Sequence, residues 1–159
     1  MTLAVKIAPV RKVVRVNASI EVAFDVFTAG MSRWWAPTHS INSSKSPLKQ
    51  AIVEPRAGGR WYEKGEDGSE CDWGRVLAWE PPTRLLLGWQ IDASWRFDPK
   101  LLSEVEVTFA DEGAGVTRVE LEHRDIERFG EAAESVRQAF DSPGGWSGLL
   151  ESYASAAGR

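Results

Sequence analysis

Glu104-Val105-Glu106-Val107-Thr108-Phe109 decides the fold together with Arg118-Val119-Glu120-Leu121-Glu122-His123, which follows the turn formers Asp111-Glu112-Gly113-Ala114-Gly115. Apolar and polar residues alternate with period two on both sides of the turn. Each side is therefore a strand with one buried and one wet face, and the two make an antiparallel hairpin. Pairing Phe109 with Thr117 sets Val107 on Val119, Val105 on Leu121 and Ser103 beside His123. His123 then falls on the apolar face.

Downstream, Glu127 to Phe140 reads as a helix with Phe129, Ala133, Val136 and Phe140 on one side. Ser142-Pro143-Gly144-Gly145 breaks it. Trp146, Leu149, Leu150, Tyr153, Ala154 and Ala157 then keep helical spacing over three turns. This amphipathic last helix needs an apolar surface, and the concave face of the sheet is the one available.

Upstream, Glu70 to Glu80 and Arg84 to Ile91 are long strands joined through Pro81-Pro82, which cannot donate ladder hydrogen bonds. If Glu80 pairs with Thr83, Gly74 lies opposite Trp89 and leaves room for its ring. Arg60 to Glu63 and Gln50 to Val53 are shorter strands, with a hairpin loop at Lys64 to Ser69. Residues 38–48 are polar, rich in turn formers, and read as a mobile loop. Val10 to Val16 is a β-branched first strand. Ser19 N-caps a helix whose apolar face is Ile20, Ala23, Phe24 and Phe27. Gly30 separates it from a short turn, Met31 to Trp35, which Pro37 stops. The class is α+β: a first strand, two short helices, an antiparallel sheet of about six to seven strands and a long C-terminal helix. Residues 10–157 form one domain, and 1–9 an N-terminal extension.

The chain has 159 residues and a net charge of -4. That balance argues against a nucleic-acid partner, which requires a concentrated basic surface. The small cluster Lys6, Arg11, Lys12 and Arg15 reads as the solvated face of the first strand. Cys71 is the only cysteine; it has no cation beside it in sequence and reads as a half-buried filler. No apolar run approaches a membrane span, so the expected location is cytoplasmic. His39 and His123 have no neighbouring ligand partners, so no metal is expected. Neither a phosphate loop nor a dinucleotide fingerprint is present, and no cofactor is expected.

Several phrases stand in a particular order: Ala18-Ser19, Trp34-Trp35, Arg56-Ala57-Gly58-Gly59-Arg60, Trp73-Gly74-Arg75-Val76, Glu80-Pro81-Pro82-Thr83-Arg84-Leu85, Gly88-Trp89, Leu121-Glu122-His123 and Gly145-Trp146. In this order the chain resembles the START-like (SRPBCC) superfamily, and within it the homologues of the activator of heat-shock protein 90 ATPase. The resemblance spans about Val10 to Ala157. It implies a helix-grip fold, in which a curved sheet wraps round the last helix and encloses an apolar cavity. It also implies small-molecule or lipid binding, polyketide cyclisation or co-chaperone work; several members pair as dimers, so a homodimer is among the expectations.

Eight tryptophans and few convergent polar groups are the usual lining of a small-molecule site. The expected ligand is hydrophobic, aromatic or lipid-like, and sits between sheet and last helix. Trp34, Trp61, Trp73, Trp89 and Trp146 would form its walls. Trp35 would stand at the entrance beside the 38–48 loop, and His123 and Arg75 would add polarity. Trp35 and Trp146 have an alternative role as plugs of the barrel ends, His123 as a satisfied core residue, and Arg75 as a surface residue. Glu70 and Asp72 are set aside as a carboxylate pair on the ground that they face opposite ways. No catalytic residue is assigned. Two other functions stay open: a protein-interaction module regulating a chaperone, which predicts a charged stripe or apolar patch outside the sheet, and a cyclase or hydrolase using the same cavity. A fillable cavity favours the first and third readings, and a side-chain-filled interior the second.

Overall fold

The computed structural model describes residues 7–158; the first six residues of the expected extension, Lys6 among them, lie outside these. Seven strands form one antiparallel sheet in the order β1-β7-β6-β5-β4-β3-β2. They are β1 (Val10–Val16), β2 (Leu48–Val53), β3 (Arg60–Gly65), β4 (Glu70–Glu80), β5 (Arg84–Trp89), β6 (Ser103–Gly113) and β7 (Val116–Arg124). Helix α1 (Ile20–Phe27) and 3-10 turns at Met31–Arg33 and Pro37–His39 lie between β1 and β2, while α2 (Ala133–Asp141) and α3 (Trp146–Gly158) follow β7. Ser19 caps α1 by accepting from the Val22 amide at 3.2 Å. Helix α3 buries all six residues of its expected stripe in the core shared with the sheet. This is the expected helix-grip.

The β6–β7 hairpin keeps its faces but slips by two residues. Phe109 pairs with Val119, Val107 with Leu121 and Val105 with His123. The turn is tighter than expected, because Ala114 and Gly115 both adopt left-handed backbone, φ 55° and 76°. The strands run closer to the tip, and an even slip leaves every inward residue inward.

Strand β4 is bent by two bulges, which single-period reading cannot foresee. One lies where Trp61 pairs with Gly74 but Tyr62 pairs with Asp72, so Trp73 is the extra residue. Trp73 and Gly74 are both buried, and Arg75 turns outward. The other lies between Val76 and Ala78 and moves the hairpin end to Glu80 opposite Arg84, instead of Thr83. Gly74 does face Trp89 as expected. The space beside it, however, belongs to the Gly88 carbonyl, which a Cβ on Gly74 would strike.

Two helical expectations are corrected. Residues 126–132 form a 3-10 stretch rather than the start of one long helix, because Gly130 has φ 64° and interrupts it. Pro37 does not stop a turn but opens one, at the helix start where its missing N–H costs nothing.

Candidate functional site

Six tryptophans are buried: Trp34, Trp35, Trp61, Trp73, Trp89 and Trp146. Their rings meet mostly edge to face. Trp35 is tilted over Trp73 at 4.7 Å and stands edge-on to Trp61 at 6.1 Å and to Trp146 at 5.9 Å. The expected positions divide into two groups. Trp34 and Trp61 are filled core: the Trp34 indole donates to the Val26 carbonyl at 2.9 Å, and Trp61 to the Met31 sulfur at 3.3 Å. Trp35, Trp73, Trp89 and Trp146 border a recess of about 440 Å³ between the sheet, the 38–41 segment and the α2–α3 junction.

Beyond these four tryptophans, the border holds residues that the sequence does not single out. Trp95, half exposed in the loop after β5, and Phe140, at the end of α2, complete the aromatic wall. Phe140 lay on the apolar face of its helix, and that stripe was the signal; Trp95 has a left-handed backbone, φ 60°, outside any periodic run. His39 and Ser40 supply polarity. Gly145 lies at the junction against the Ala139 and Phe140 carbonyls, where a Cβ has no room.

His123 is fully buried and does not border the recess. Its Nδ1 accepts from the Trp146 indole at 3.1 Å, and its Nε2 is 2.8 Å from Ser103 Oγ. Since an indole can only donate, Nε2 carries the proton and gives it to Ser103. Burial lowers the His123 pKa from 6.5 to about 3, so the ring is a neutral strut, stacked on Phe140 at 4.2 Å. Arg75, expected as a polar contact, is exposed on the outer face because of the bulge at Trp73.

Glu63 was not foreseen. It lies on β3 with no exposed surface. Its Oε1 accepts from the Ile41 amide at 2.7 Å and the Trp73 indole at 2.9 Å, and its Oε2 from the Ser40 hydroxyl at 2.5 Å. Three donors satisfy the buried carboxylate without an ion pair. The segment expected to be a mobile loop is thereby fastened to the sheet. Asn42 adds a bond to Ser69 at 2.6 Å.

Outside the sheet, charges alternate in sign and pair with one another. Arg84 bonds Glu106 at 2.6 Å, and Arg124 bonds both Glu104 and Glu106 at 2.9 Å. Arg11 and Arg15 of the expected basic face pair with Glu122 and Glu112, and Lys12 with Asp141. Glu70 and Asp72, two residues apart, share one face after all, and Arg60 holds both at 3.1 and 2.7 Å. Burial, reinforced by the charges of Glu63 and Asp72, pushes the Cys71 thiol up and away from nucleophilic use. Among the described residues no helix is long and apolar enough to cross a membrane.

Solved structures similar to this chain include two above 30% identity. One is an anthrahydroquino-γ-pyrone synthase, Txn09, complexed with SUM: 42% identity over 94% of this chain and 97% of that one, TM-score 0.65. The other is the self-sacrificing resistance protein CalC from Micromonospora echinospora: 32% identity over 94% of each chain, TM-score 0.69. Protein NE0264 from Nitrosomonas europaea, at 12% identity and TM-score 0.62 over 94% of each chain, shares the fold. Comparison with curated proteins yields no match. The family described as Activator of Hsp90 ATPase homolog 1-like protein matches residues 17–155. With that match and the helix-grip architecture, the chain belongs to this family, within the START-like superfamily.

Proposed function

We propose that this protein binds a fused-ring aromatic small molecule in the recess at the α2–α3 junction. The observation that carries this is the wall itself: Trp35, Trp73, Trp89, Trp95, Phe140 and Trp146 round a space of about 440 Å³. That volume lies in the range of roughly 300–1,000 Å³ typical of pockets for drug-sized ligands. Aromatic walls favour flat π-systems, which they meet by stacking and by edge contacts. The relative at 42% identity is a synthase of a fused aromatic product, which supports the same ligand class.

Intrinsic fluorescence tests it, since five tryptophans border the space. Titration with 9,10-anthraquinone is expected to give saturable quenching, and palmitate a weak response. A saturable response to palmitate alone would shift the ligand class to acyl chains. Silence towards every aromatic probe at high micromolar concentration would sink the proposal.

A second reading, cyclisation in the same recess, is favoured by one observation. Ser40 borders the space and donates to the buried Glu63 carboxylate, an arrangement able to take up a ligand hydroxyl proton. Retained binding with lost turnover in Ser40→Ala would support it, and unchanged turnover would dismiss it.

A further inference from the structure

Of the six buried tryptophans, five have a partner for the indole N–H: Val26, Met31, Glu63, Ile91 and His123 serve Trp34, Trp61, Trp73, Trp89 and Trp146. Trp35 Nε1 has none among the described residues, although the residue is only 5% exposed. One other polar atom bordering the recess shares that condition, His39 Nδ1. Its role is fixed by its ring partner. His39 Nε2 is 2.7 Å from the Gly144 carbonyl. A carbonyl only accepts, so Nε2 carries the proton of the neutral ring and Nδ1 is left as a bare acceptor.

Buried polar atoms are almost always paired. Here a lone donor and a lone acceptor border the same recess, while their aromatic neighbours are satisfied. From this we infer that Trp35 and His39 are the polar recognition elements of the site, and that its ligand carries both a carbonyl oxygen and a hydroxyl on its aromatic frame, a phenolic ketone or hydroxyquinone. The carbonyl accepts from Trp35 Nε1–H, and the hydroxyl donates to His39 Nδ1. Both atoms are buried in this arrangement. On this inference a small rotation of each ring about its broad terminal torsion brings them to the occupant, with His39 Nε2 keeping the Gly144 carbonyl. The inference rests on the recess being a binding site, and it adds the functional groups that the apolar wall cannot specify.

The test uses three flat probes of similar size on the full chain: anthracene, 9,10-anthraquinone and 2-hydroxyanthraquinone, whose hydroxyl cannot reach its own carbonyls, each titrated by tryptophan fluorescence. The expected order is anthracene weakest, the quinone tighter and the hydroxyquinone tightest, with about a tenfold gain for each added group. His39→Gln keeps a donor for the Gly144 carbonyl through its Nε2 but displaces the acceptor from the Nδ1 position. It is expected to lower affinity about tenfold for the hydroxyquinone and to leave the quinone unchanged. Trp35→Phe is expected to weaken both carbonyl probes about tenfold more than anthracene. Equal affinity of the three probes for the unaltered protein overturns the inference and leaves the aromatic recess standing, with no variant needed. Equal losses for all probes in both variants overturn it in the same way. Absence of saturable binding by all three removes the recess reading and this inference together.

Discussion

Trp34 and Trp35 are neighbours in sequence, both buried, and belong to opposite halves of the interior. The Trp34 indole and its polar neighbour are both paired: the indole donates to the Val26 carbonyl, and Tyr153 Oη donates to the Ala23 carbonyl at 2.6 Å. Phe27 and Tyr153 close on it at 4.9 and 5.5 Å. Around Trp35 the rings are as dense on one side but open onto a recess on the other, and the indole nitrogen has no partner among the described residues. The difference separates a core from a site more sharply than burial does, because the two residues are buried almost equally, at 2% and 5% exposed.

The largest test of that difference is Trp34→Ala. Removing a ring that fills the core is expected to cost about 4 kcal/mol in denaturant unfolding. A cost below about 2 kcal/mol would mean that this half is loosely filled too.

Next is Glu63→Leu, which strips the anchor from the Trp35 half. It leaves the Trp73 indole and the Ile41 amide without acceptors, and a loss of about 3 kcal/mol is expected, with Glu63→Gln retaining part of it. Faster hydrogen exchange confined to residues 38–48 would accompany it.

Acidification probes the support behind the recess wall, where His123 contacts Trp89, Phe140 and Trp146. The native His123 ring stays neutral down to about pH 3, while in the unfolded chain it takes a proton near pH 6.5. Stability from this group is therefore complete above about pH 6.5 and falls as the pH drops, by about 2 kcal/mol at pH 5. A His123→Asn variant is expected to have a flatter profile over that interval.

The smallest effect is the most discriminating. Trp34→Phe loses a hydrogen bond as well as volume, whereas Trp35→Phe loses volume alone. The first is expected to be about 1 kcal/mol more destabilising than the second. Equal costs would erase the distinction between the halves.

Much of the architecture was readable because the signals repeat. The alternation in Ser103–Gly113 and Val116–Arg124 fixed both faces of a hairpin even though its register moved by two. The stripe from Trp146 to Ala157 placed every inward residue of the last helix. The border of the recess was legible only in part. Trp35, Trp73, Trp89 and Trp146 border the recess, but Arg75 was turned out by a single extra residue at Trp73, and no local property of Trp-Gly-Arg-Val announces a bulge. Glu63, His39 and Ser40 carried no signal because the partners that place them lie 10 to 105 residues away, so only the folded chain brings them together. His123 was correctly placed on the apolar face, and its partners make it a support rather than a contact.

Gly74, next to Trp73 on β4, and Gly145, at the α2–α3 junction, each lie so close to backbone carbonyls that not even a methyl group fits. Neither position can take a side chain without moving the main chain. On the proposed reading, a change of ligand repertoire, whether by natural drift or in a mutant library, is therefore channelled to the side chains of Thr38, His39 and Trp95, which border the recess from outside the strands.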